Sequence, residues 1–97
     1  MDKLLAALSG APAPAGFEKA VLSIIKSELL TLCPEVRTDN LGNLISLFRS
    51  AAPNAPLLMI DAHMDEIGLI VTSIDDNGFL KFACVGSYDT RVLPDSE

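Results

Sequence analysis

The single histidine of this chain stands among carboxylates, in Asp61-Ala62-His63-Met64-Asp65-Glu66. A neutral imidazole binds a metal ion through one ring nitrogen. A carboxylate that accepts the N–H of the other nitrogen fixes the tautomer and makes the ligand more basic. Asp65, two residues on, has the type and spacing for that orienting role. His-x-Asp is nonetheless a short pattern, and a solvated acidic turn with one incidental histidine reads the same residues equally well. Glu66 also carries two readings, an approach to a substrate amine or a structural role, with the structural one favoured. Cys33 and Cys84 add nothing to a ligand set. The first ends an apolar helical face and the second falls in an alternating strand, both ordinary places for buried thiols in a reducing compartment.

The elements that must position these groups follow from periodicity. Leu57-Leu58-Met59-Ile60 is a continuous apolar run, expected as a strand buried on both faces of an α/β sheet, and such sheets hold ligands at the ends of their strands. Upstream, Val21, Ile24, Ile25, Leu29 and Leu32 recur every three or four residues, which predicts the main helix over Phe17 to Leu32, stopped by Pro34. A short helix carrying Leu4, Leu5 and Leu8 precedes it and ends at Ser9-Gly10 before Pro12 and Pro14. After Pro34 the period shortens. Glu35 to Thr38 and Asn43 to Arg49 flank the turn Asp39-Asn40-Leu41-Gly42 as a hairpin, and a second hairpin joins Ile67 to Ile74 and Phe79 to Val85 across Asp75-Asp76-Asn77-Gly78. That second turn resembles the start of a calcium loop but lacks the later ligands. Gly86 to Glu97 reads as connecting loop, with Tyr88, Asp89 and Arg91 as a surface cluster. Gly10 to Gly16 is rich in Pro and Ala and offers no phosphate-cradling glycine loop.

Composition narrows the classes. Seven Lys and Arg against thirteen Asp and Glu leave a net charge of -6, the wrong sign for neutralising phosphates, so nucleic acid is excluded as a partner. No apolar run approaches the ~20 residues of a membrane span. The start Met1-Asp2-Lys3 lacks a signal-peptide pattern, giving a cytoplasmic expectation. Ninety-seven residues make one small domain or a piece of a larger one, and 49% apolar side chains without any Trp, at a mean hydropathy of +0.38, imply faces meant to meet further polypeptide.

Several of these elements together resemble the M42 family of metalloaminopeptidases: Pro12-Ala13-x-x-Gly16-Phe17-Glu18 at the main helix start, Gly42-Asn43, the Leu-Met-Ile run, His63-Met64-Asp65-Glu66-Ile67-Gly68, Ile74-Asp75, Gly78-Phe79-Leu80 and Val85-Gly86. The resemblance runs over essentially the whole chain. It implies an α/β fold: residues 1–66 as the N-terminal part of a peptidase catalytic domain, helix plus mixed sheet, and residues 67–97 as the start of an inserted, barrel-like β domain. It implies two divalent metal ions, zinc or cobalt, with His63 as one metal ligand and Asp65 as its catalytic-site support. Only one weak site at most is expected in this chain, because the remaining ligands and the general base lie further along in the family. Peptide substrates, large hollow homo-oligomers and a need for the rest of the peptidase chain or other subunits are implied as well. The family's Ser-Gly is Ala15-Gly16 here, so half of a capping box with Glu18 is missing, which costs about 0.5–2 kcal/mol of helix stability. The competing expectation is a catalytically silent oligomerising or regulatory module that keeps the family's fold elements.

Overall fold

The computed structural model describes residues 2–87, 89 and 91. Tyr88 and most of the expected connecting stretch at the C-terminal end lie outside them. Two helices, α1 (Asp2–Gly10) and α2 (Lys19–Leu32), precede two hairpins, β1 (Val36–Thr38) with β2 (Leu44–Ser46) and β3 (Gly68–Ile74) with β4 (Leu80–Val85).

Helix α2 starts two residues later than the apolar period suggests. Pro14 C=O accepts the Phe17 N–H at 2.8 Å and Gly16 takes φ +89°, so the chain turns through residues 14–17 before it can wind. Glu18 is the N-cap without a side-chain cap bond of the usual kind; its carboxylate instead reaches back to the Gly16 N–H at 2.5 Å. Pro34 ends the helix as expected. It drives Cys33 into extended backbone, φ -147° and ψ 129°, and the thiol is buried, donating to Leu47 C=O at 2.8 Å. Val21 is the buried anchor of α2. Leu32, expected on the apolar face, is instead 71% exposed, because the helix ends there and no described element covers its last turn.

Both sheets are two-stranded and antiparallel. The register of the first runs Val36↔Ser46 to Thr38↔Leu44, and α2 packs against both of its strands. The second runs Gly68↔Val85 to Ile74↔Leu80, with an irregularity between Val71 and Ser73. Each is closed by a three-residue loop that ends in a left-handed glycine, Gly42 at φ +90° and Gly78 at φ +86°, the geometry of a type I turn with a glycine bulge. Asn77 does not adopt positive φ, so Asn77-Gly78 is not the two-residue turn that the dipeptide suggests. The Asp75 carboxylate accepts the Asn77 and Phe79 N–H groups, both at 2.9 Å. It serves the turn.

The expected doubly buried strand at Leu57 to Ile60 is not formed. These four side chains are 82–87% exposed and no described segment pairs with them. Apolar patterning alone cannot make a strand without a ladder partner on at least one edge. Cys84 likewise proves exposed, since the face of β4 that should bury it meets no other element among the described residues. Among the described residues only Ala13, Val21 and Cys33 are buried apolar groups. The Cα radius of gyration, 18.4 Å, compares with roughly 13 Å for a compact domain of this length.

Candidate functional site

The segment 61–66 leaves the uncovered apolar run and enters β3, and it is held at its far end. Glu66 N–H donates to Ala13 C=O at 2.8 Å, Ala13 N–H donates to Glu66 Oε1 at 2.8 Å, and Pro14 and Glu66 form a parallel bridge. Ala13 is 3% exposed. A Cβ added at Gly68 would lie 3.1 Å from Pro14 Cβ, and one at Gly86 would lie 2.9 Å from Ile67 Cγ2. The loop after α1, the start of β3 and the end of β4 therefore meet around residues 66–68.

Three residues before this junction, His63 Nδ1 lies 3.0 Å from Asp65 Oδ1 and 3.0 Å from Asp65 C=O. Both partners are acceptors, so Nδ1 is the nitrogen that carries the proton in the neutral ring. Nε2 then presents its lone pair outward, from a side chain that is 85% exposed. The donor chemistry suits one ligand position on a borderline-soft divalent metal. A catalytic zinc needs about three protein ligands, and among the described residues no group of three His, Cys, Asp or Glu side chains can hold a metal ion. Asp61 faces a different feature. With Ala62 and Met64 it borders an open groove of ≈ 860 Å³ between the first hairpin and Leu57 to Ile60. Arg91 and Asp89 form an exposed ion pair, apart from the histidine segment in sequence.

The role of Ala13 and Pro14 is not legible in the sequence. The Pro-Ala-x-x-Gly-Phe-Glu stretch marked the approach to α2, but nothing in it signals that its backbone is read by a glutamate 53 positions away.

A family model described as M42 glutamyl aminopeptidase matches residues 42–97. A lysyl aminopeptidase of Pyrococcus furiosus is 34% identical over 95 residues, 97% of this chain and 25% of that protein. A glutamyl aminopeptidase of Lactococcus lactis subsp. cremoris is 33% identical over 87 residues, 90% of this chain and 24% of that protein. The crystal structure of a TET aminopeptidase from a marine-sediment thaumarchaeote superposes with a TM-score of 0.85 at 33% identity, covering 95% of this chain and 25% of that one. The chain thus spans about a quarter of the length of the relatives it matches.

Proposed function

Because the chain belongs to the M42 glutamyl aminopeptidase family, we propose that it is the front part of a dinuclear metal-dependent aminopeptidase that removes N-terminal residues from peptides. In this reading His63 binds one metal ion through Nε2, and Asp65 holds the proton on Nδ1. When bound, two such ions, zinc or cobalt, supply an activated water and polarise the scissile carbonyl. The observation that carries the reading is the Nδ1 to Asp65 contact at 3.0 Å, the carboxylate–histidine arrangement that tunes metal ligands.

Residues 1–66 belong in this reading to the catalytic domain and residues 67–97 begin an inserted β domain. The remaining metal ligands and the general base come from polypeptide beyond this quarter, in the same chain or another subunit of a cytoplasmic homo-oligomer. That polypeptide covers Leu57 to Ile60 and the groove beside the first hairpin. No helix among the described residues is long and apolar enough to cross a membrane.

A chimera tests this, with the 97 residues replacing the matching quarter of the Pyrococcus furiosus lysyl aminopeptidase. We expect metal-dependent hydrolysis of an aminoacyl anilide, lost in His63→Ala and reduced about 10- to 100-fold in Asp65→Asn. The 97-residue chain by itself should bind zinc weakly, dependent on His63, and turn nothing over. A chimera whose activity survives His63→Ala removes the ligand assignment. One that assembles but is inactive favours the second reading, a non-catalytic oligomerising or regulatory module, for which the exposed apolar face of β3 and β4 speaks.

A further inference from the structure

We propose that Glu66 is a positioning residue: by clasping Ala13 it holds the backbone of residues 63–66 in the conformation that brings Asp65 onto His63 Nδ1. The proposal rests on the metal-ligand reading of His63 given above, and assigns to that site a residue with no role in binding metal.

Glu66 makes two bonds to one residue. Its N–H donates to Ala13 C=O and its Oε1 accepts the Ala13 N–H, both at 2.8 Å, so one amino acid satisfies the donor and the acceptor of a buried peptide position. A buried backbone group left unpaired is costly, which gives the clasp a preferred partner rather than a passing contact. Engagement of Oε1 with Ala13 also commits this carboxylate oxygen to the loop. The surrounding fit is tight where the clasp needs it. Gly68 leaves room for Pro14, so the strand that follows Glu66 can lie close against the loop, and Gly86 leaves room for Ile67 where the hairpin ends meet. His63 has no comparable support of its own. Its ring is 85% exposed, and among the described residues both of its hydrogen-bond contacts go to Asp65, through the side chain and through the backbone carbonyl. That pair of contacts requires a particular turn of the chain between residues 63 and 65, and the nearest fixed point downstream is Glu66.

The test reads the tautomer of His63 by 15N NMR of the labelled 97-residue chain at a pH where the ring is neutral, with Ala13 amide exchange measured alongside. In the native sequence the Nδ1–H form should dominate and the Ala13 amide should be protected. Glu66→Ala should lower the Nδ1–H share about twofold or more and release the Ala13 amide. Glu66→Gln, which keeps an acceptor oxygen, should restore both. An unchanged tautomer in Glu66→Ala with the β3–β4 signals intact overturns the proposal. So does a native Ala13 amide that exchanges at the rate of an unstructured peptide, a measurement that stands even if the alanine variant fails to fold. Neither readout involves a metal or a peptide substrate. A failure here therefore leaves the peptidase reading standing, and an inactive chimera does not bear on the clasp.

Discussion

The two hairpins of this protein are closed by the same device and supported very differently. In the first, Asp39 Oδ1 accepts the N–H groups of Leu41 and Asn43, both at 2.9 Å, Asp39 N–H donates to Asn43 C=O at 3.0 Å and Gly42 N–H to Asp39 C=O at 3.2 Å. In the second, Asp75 repeats every one of these bonds with Asn77, Phe79 and Gly78. Yet β1 and β2 lie against α2, whereas β3 and β4 pack against no other element among the described residues. Leu69, Ile70, Val71 and Phe82 are consequently about half exposed. An Asp-x-x-Gly turn sets the register of a hairpin and leaves the burial of its faces to other parts of a structure. A two-stranded sheet without such cover is marginal in water.

The largest effect that can separate the two regions comes from the core. Val21→Ala should cost about 2 kcal/mol in urea denaturation, while Ile70→Ala on β3 should change stability by less than about 0.5 kcal/mol. Equal losses would mean that β3 is covered in solution. Next come the turn glycines. Gly42→Ala and Gly78→Ala should each cost about 1–2 kcal/mol of local hairpin stability, because both replace a left-handed glycine with open space around the new Cβ. Amide exchange across each hairpin reads that cost, and a loss confined to one of them would show that the two turns are not energetic equivalents. The smallest effect is that of acid on the first hairpin. The Arg49 side chain hydrogen-bonded to Glu35 holds that carboxyl below its ordinary range, and the Asn43 side chain does the same for Asp39. Depressed values in the folded state mean a contribution that is complete above the ordinary carboxylate range and lost as pH falls through the depressed values, below about pH 4. Protection of β1–β2 amides should therefore decline in that window, and an Arg49→Met variant should decline less.

Much of this was legible in the residues. The apolar period placed α2 to within two residues, and Pro34 marked its end. Asp and Gly at fixed offsets located both turns, since those contacts are local and depend on few side chains. The Leu57 to Ile60 run misled because its composition reports a need for burial on both faces and carries no information on whether a partner is present. Cys84 and Leu32 failed in the same way, as apolar positions whose covering element is absent from the described residues. At the site, His63 and Asp65 stood out because their chemistry is contained in three consecutive residues. The bond between Glu66 and Ala13 was not legible, for it joins a carboxylate to a main-chain N–H, which any residue type except proline would offer.

That same bond spans 53 positions, whereas the longest bond within either turn spans 4. Loop-closure entropy grows with the logarithm of length, so bringing Ala13 to Glu66 carries roughly 2 kcal/mol more chain entropy than closing a turn. Chain entropy therefore favours the local turns over the junction that follows the histidine, and we expect that junction to be among the later contacts made. A chain caught midway would display both finished turns and an imidazole still free to rotate. Competence to hold a ligand would then mark the end of folding.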